Sequence, residues 1–139
     1  MKKVFLLLLI ASTTFAKEGI SQTPETVVEA QLKAYNKRDI EAFLATYHDS
    51  IEVCEYSGKV TMKGKDGLRS VYGGMFKTLE VLEAKISKRI TIGNKVIDQE
   101  TATFTSKTPE GKLQSNSLTV VVIYEITNNL ISRVTFIRN

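Results

Sequence analysis

From residue 80 onward the chain consists of alternating or wholly apolar runs separated by short turn signals, and this half most narrows what it can fold into. "VLEAKISKRITI" sets Leu82, Ala84 and Ile86 on one register and continues it through Lys88, Ile90 and Ile92. "GNK" turns the chain, and "VIDQETATFTSK" reads as the next strand. "TPEGK" supplies a hairpin loop with proline and glycine in suitable places. "LTVVVIYEI" is apolar on both faces, "TNN" turns the chain again, and "LISRVTFI" closes it. Strands joined by such short turns pair antiparallel with their neighbours. The strand around Val120 to Ile123 asks for cover on both faces, where an antiparallel sheet with one wet face would alternate. Helices can cover one face and a second copy of the chain the other, so a homodimer is expected. The alternative is a twisted central strand backed by a loop.

The cover on the first face comes from earlier in the chain. Thr23-Pro24 is an N-cap followed by proline at the first helical position, and the helix it opens runs to about Lys37 with Val28, Leu32 and Tyr35 on one stripe. Asp39 caps a second helix, "DIEAFLATYHD", whose Ile40, Phe43, Leu44 and Tyr47 fall at i, i+3, i+4 and i+7. A strand follows at about 50–56, a turn at "YSGK", a short strand at 59–63 and a third helix at about 65–78. Leu68, Val71, Tyr72, Met75 and Phe76 share one face of that helix. Gly73 and Gly74 interrupt it at a cost of about 1 kcal/mol each, which implies either close packing or room for a ligand. Three early helices and a late antiparallel meander make an α+β fold with the helices on one side of a curved sheet.

Residues 1–16 stand apart. "MKKVFLLLLIASTTFA" has two lysines, an apolar run from Val4 to Ala11, and small residues ending in Ala16, the layout of a signal peptide. A membrane-spanning helix needs roughly 20 apolar residues, far more than this run provides. The expected order is therefore a signal peptide at 1–16, a leader at 17–21 and one domain at 22–139, with the protein periplasmic or secreted and free of the membrane after cleavage. Cleavage removes two of 19 basic residues and none of the 15 acids, so the net charge falls from +4 to +2. The remaining cations are scattered among acids, which argues against a nucleic-acid partner. Cys54 is the single cysteine, so no internal disulfide forms; it reads as a buried apolar residue, with an intermolecular bridge or a reactive thiol as alternatives. With one cysteine and one histidine, a zinc site would need a carboxylate-rich ligand set. No metal and no cofactor are expected.

The stretches "AYNKRDIEAFLATYHDSIEV", "KGKDGLRSVY", "GNKVIDQE" and "VVIYEITNNLISRVTFIR" resemble the nuclear transport factor 2-like superfamily, within it the SnoaL-like and steroid delta-isomerase-like branch. The resemblance implies a cone: a bent antiparallel sheet wrapped around three N-terminal helices, with a deep apolar pocket between them. It implies no single reaction, because the superfamily holds isomerases, dehydratases, cyclases and pure binding domains. Carried over residue by residue, the ketosteroid isomerase pattern puts Glu55 at the aspartate base. Gln31 falls at the oxyanion tyrosine, and Val122, or a residue next to it, at the protonated aspartic acid. A carboxylate is thus kept where the base belongs, while both oxyanion donors are replaced.

Glu55 is also anomalous in its own strand. In "IEVCEYSGKV", Ile51 and Val53 mark the apolar face, and the alternation puts Glu55 where a third apolar residue belongs. Pointing into the cone, it would be a desolvated carboxylate and a usable base beside a carbonyl. At a fraying or bulged strand end it would sit in water. Gln31, Tyr35, Tyr47 and Tyr72 offer donors among apolar walls that include Phe76 and Val122, the mixture a small-ligand site needs. His48 reads as a helix-end residue. Lys88 breaks its strand's apolar face and is expected to snorkel to the rim. Asp98 and Glu100 share a face with Ala102 and Phe104 and are expected at the wetter end of that strand.

Two functions fit. One is an exported binding domain whose cone holds an apolar small molecule, or only supports a dimer, and does no chemistry. The other is a cofactor-independent isomerase, dehydratase or cyclase-like enzyme using Glu55 as general base on an apolar carbonyl compound.

Overall fold

The computed structural model describes residues 22–138; the expected signal peptide and leader lie outside the described residues. Three helices, α1 (Pro24–Lys37), α2 (Ile40–Ala45) and α3 (Gly64–Thr78), lie against one sheet of six strands. The strands are β1 (Tyr47–Glu55), β2 (Val60–Lys63), β3 (Val81–Ile92), β4 (Lys95–Lys107), β5 (Leu113–Thr127) and β6 (Leu130–Ile137). Their order across the sheet is β2-β1-β6-β5-β4-β3. The expected α+β cone is the fold found, with one refinement: β1 and β6 pair in parallel, so the curved, open sheet is mixed. No helix among the described residues is long and apolar enough to cross a membrane.

The helix boundaries follow from their caps. The Thr23 hydroxyl accepts from the Thr26 backbone N–H, and the Thr26 hydroxyl accepts from that of Thr23, closing a capping box at α1. The Asp39 carboxylate accepts from the Ala42 N–H and opens α2. That helix ends four residues earlier than its apolar period suggests. Tyr47 instead begins β1 opposite Ile131, and Ile131 N–H donates to the Thr46 carbonyl, so strand pairing with β6 overrides the helical pattern. His48 accordingly sits in β1 and not at a helix end, with Nδ1 2.8 Å from the Ser50 hydroxyl. An added Cβ at Gly73 or Gly74 would meet nothing within 4 Å, so close packing does not account for either glycine.

Two side chains of α1 tie it to the edge of the sheet. Asn36 donates from Nδ2 to the Ala84 carbonyl at 2.9 Å and accepts at Oδ1 from the Ala84 N–H at 2.8 Å. Its amide thus copies the hydrogen bonds of a neighbouring strand on the free edge of β3, a position that otherwise invites pairing with another chain. Arg38 adopts φ 57°, which ends α1 and aims its guanidinium at the carbonyls of Leu79 and Glu80 at the end of α3. The core then closes on Phe43, fully buried, whose ring lies within 4.7–5.6 Å of Tyr47, Tyr72 and Phe76. Cys54 is buried and free in the same core.

A register shift between Ile86 and Lys88 makes β3 change face. Before it, Leu82 and Ala84 point inward; after it, Arg89 and Thr91 do. Ile90 and Ile92 turn outward, 49% and 65% exposed, and Lys88 is exposed beside Ile90. Simple alternation would have Lys88 facing in and Arg89 facing out; the bulge reverses them.

Replacing Asn36 with alanine strips two backbone groups of their partner, and each such loss costs about 1–3 kcal/mol where water cannot substitute. Asn36→Ala should lower the unfolding free energy by about 1–3 kcal/mol, read as a lower urea midpoint at an unchanged m-value.

Candidate functional site

Two connected chambers open between the helices and the concave face of the sheet. The outer chamber has a volume of about 270 Å³ and is walled by Met62, Met75, Phe104, Leu118 and Val120 among others. The inner one has about 20 Å³, room for a water molecule or a single ligand oxygen. Tyr35, Tyr72, Glu100 and Phe136 line both and so mark the passage between them.

Glu100 is the carboxylate the structure brings to this passage. It lies on β4 opposite Val120, two residues beyond Asp98 and on the same face. Burial raises its pKa from 4.5 to about 7, and the charge of Asp98 adds to the rise. A long contact from the Tyr124 hydroxyl, 3.5 Å, and the more distant charge of Arg89 pull the other way. Asp98 is 1% exposed and held by Arg89, whose Nε and Nη2 donate to its two oxygens at 2.7 and 2.8 Å. Arg89 also reaches Glu29 on α1 at 3.2 Å. The expected wet position of these two acids is therefore corrected: Asp98 is buried in a forked ion pair, and Glu100 is largely buried without a full charge partner.

Tyrosine hydroxyls surround Glu100. Burial raises the pKa of Tyr35 to about 12 and lifts Tyr47, Tyr72 and Tyr124 further, and in all four the charge of Glu100 contributes. They are therefore protonated donors at neutral pH. Gln31 donates from Nε2 to the Tyr47 hydroxyl at 3.1 Å, which leaves the proton of that hydroxyl free for another acceptor. Among the described residues, the hydroxyls of Tyr35 and Tyr72 make no protein hydrogen bond. The arrangement is one acid–base group of near-neutral pKa, several fixed donors and apolar walls.

Of the residues singled out in the sequence, Gln31, Tyr35, Tyr47 and Tyr72 line the inner chamber. Phe76 and Val122 lie in the core behind it, Phe76 against the ring of Tyr35 and Val122 fully buried between Asp98 and Phe136 in the sheet. Glu55 is at the end of β1, where pairing with β2 shifts register between Val53 and Cys54 and both residues are buried. Its carboxylate meets Arg138 at 2.8 and 3.3 Å and does not line either chamber. The signal for Glu100 was present in the sequence: Val96, Asp98, Glu100, Ala102 and Phe104 share one register, so two carboxylates sit where apolar residues belong. Among the described residues no three histidine, cysteine, aspartate or glutamate side chains converge as a metal site would need.

The SnoaL-like domain family model matches residues 28–134. Solved structures share the fold. An uncharacterised cystatin-fold protein from Novosphingobium aromaticivorans is 28% identical with a TM-score of 0.75, over 84% of this chain and 98% of its own. A protein described as a SnoaL-like polyketide cyclase from Shewanella denitrificans is 10% identical with a TM-score of 0.73, over 84% and 90%. TerC, co-crystallised with polyporic acid, is 18% identical with a TM-score of 0.66, over 84% and 92%. No curated protein matches the chain.

The raised pKa of Glu100 carries a stability consequence. The unfolded chain releases this proton near pH 4.5 and the folded chain near 7, so between those values the unfolded state binds fewer protons and stability falls as pH rises. The full penalty, up to about 3 kcal/mol, is present above pH 7. Glu100→Gln should therefore be close to neutral for stability at pH 4.5 and stabilising by roughly 2–3 kcal/mol at pH 8, read by urea unfolding at both values.

Proposed function

The chain belongs to the SnoaL-like domain family, and on that premise we propose that it binds an apolar carbonyl compound in the two chambers and moves a proton on it, with Glu100 as the acid–base group. One observation carries this reading: a carboxyl of pKa about 7 sits at the passage between the chambers, within the field of four tyrosine hydroxyls. A base is most effective when its pKa lies near the working pH.

The substrate's apolar body fills the outer chamber and its carbonyl oxygen enters the inner one. Glu100 takes the proton from the carbon beside the carbonyl, and the C–H electron pair becomes an enolate. The negative charge on the enolate oxygen is met by tyrosine O–H donors. Each preorganised donor of this kind is worth roughly 2.7–4 kcal/mol in studied systems. Protonated Glu100 then returns its proton, either to another carbon, which isomerises the substrate, or to the alkoxide formed when the enolate carbon attacks a second carbonyl, which closes a ring. No cofactor enters either route. Tyr47, Tyr72, Tyr35 and Tyr124 supply the donors absent from the Gln31 and Val122 positions.

Binding without turnover is the second reading. The small inner chamber favours it, since it has room for only a single atom group of a ligand. TerC, a protein of the same fold, was co-crystallised with polyporic acid, which supports a ligand-holding role in either case. The proposal includes export, supported by the lysine–apolar–small order of residues 1–16. It also includes a homodimer through the convex face of the sheet, where Ile90, Ile97 and Ile123 form a cross-strand row flanked by Val121.

Glu100→Gln separates the two functional readings. A catalyst should lose at least 100-fold in the rate of hydrogen–deuterium exchange beside the carbonyl of a bound ketone while keeping ligand affinity. Exchange that is no faster in the wild-type protein than in Glu100→Gln rejects turnover and leaves binding. For the dimer, Val121→Lys should sediment as a monomer under conditions where the wild type sediments as a dimer; a monomeric wild type rejects the assembly.

A further inference from the structure

Arg138 lies at the rim of the outer chamber with Glu55 paired to it from outside the lining, and neither takes part in the proton transfer. Arg138 is the one cation among the residues lining that chamber. Its guanidinium carbon stands 4.8 Å over the centre of the Phe136 ring, which fixes the plane of the group. Glu55 fixes its direction: Nε donates to Oε2 at 3.3 Å and Nη2 to Oε1 at 2.8 Å. This side-on pairing consumes two of the five N–H donors. Nη1 and the second hydrogen of Nη2 form the other edge of the fork, and among the described residues nothing occupies it. The ion pair is half exposed, so it adds little to stability and its main effect is to hold the guanidinium in place.

The chamber behind it is apolar along Met62, Met75, Phe104 and Leu118 until Glu100. A neutral acceptor would gain only a weaker hydrogen bond from the free edge of Arg138, whereas an oxyanion gains a charge-assisted pair. A ligand with an oxyanion at one end of an apolar body would match both features, and its charge would sit at the rim where water still reaches it. The field of Arg138 also extends inward, where it slightly opposes the rise in the Tyr72 pKa.

We propose that the outer chamber takes an apolar organic anion, a carboxylate or sulfonate on an aromatic or alicyclic body, whose oxyanion is bound end-on by the free edge of Arg138. This rests on the chamber being the ligand site and narrows the class of ligand it holds. Arg138 is then a specificity residue at the opposite end of the site from Glu100.

Two fluorescent probes share one apolar body and differ in the anion: 8-anilinonaphthalene-1-sulfonate and N-phenyl-1-naphthylamine. The wild-type protein should bind the sulfonate about tenfold more tightly than the neutral amine, as one charge-assisted pair allows. Arg138→Gln should remove that preference and leave the affinity for the neutral probe within about twofold. Val71→Trp, on the exposed wall of the chamber, should weaken both probes, which places them inside it. Glu100→Gln should keep the preference for the sulfonate. Equal affinity for the two probes in the wild type, or equal loss of both in Arg138→Gln, overturns the anion assignment and leaves the chamber as a ligand site. Failure of the wild type to bind either probe, or binding of both that Val71→Trp does not touch, overturns the assignment together with the ligand-site reading beneath it.

Discussion

The ring of Phe43 is where the three helices and the sheet meet. Tyr35 comes to it from α1, Tyr47 from β1, and Tyr72 and Phe76 from α3, all with centroids 4.7–6.3 Å away in tilted or edge-on geometries. Such packing holds the helices on the sheet largely by burying aromatic area. The three tyrosines of this cluster, Tyr35, Tyr47 and Tyr72, also line the inner chamber. Glu100 is largely desolvated because the walls around it are side chains that are apolar in their bodies and polar only at their tips. Stability and the chemistry of the site are therefore not separate properties here: the packing that holds the helices is what makes the carboxyl reluctant to ionise.

Two carboxylates two residues apart on one strand face would normally repel and destabilise. The bulge in β3 resolves this unevenly. By turning Arg89 inward it gives Asp98 a forked partner and leaves Glu100 with only a long contact from Tyr124. One acid becomes a fixed part of the scaffold, anchored through Arg89 to Glu29 on α1, and the other keeps its proton available. A regular strand would have put Lys88 near this position and Arg89 in solvent, and the two acids would have had no such division of roles.

Much of this was legible in the sequence. Helical period, caps and turn residues placed α1, α3, β3, β4 and β6 nearly to their observed ends, because those features act locally, whereas β5 begins at Leu113, five residues before the apolar run that marked it. Gln31, Tyr35, Tyr47 and Tyr72 were singled out and do line the inner chamber. What alternation could not reveal was where it breaks. The register shifts at Val53/Cys54 and Ile86/Lys88 depend on pairing with strands far away in the chain, and each moves a charged residue to an unexpected face. For that reason the sequence left Glu55 open between the cone and water, and alternation alone would put Lys88 inward in place of Arg89. The end of α2 was missed likewise, since it is set by β6, more than eighty residues later. Asp98 and Glu100 carried the same anomaly as Glu55, but polar residues on an apolar register mean either a wet end or a functional interior, and only the position of the helices decides between them.

The place of β6 has a consequence for how the protein comes into being. This strand lies between β1 and β5, so it joins the earliest part of the sheet to the latest. Until residues 130–137 are in place, the β1–β2 hairpin is not joined to the rest of the sheet and the meander of β3 to β5 has an open edge. Contacts of such long sequence separation slow folding and leave edges exposed while it proceeds. Docking of β6 is thus the step that closes the sheet, and the two halves of the fold gain their cooperativity from it.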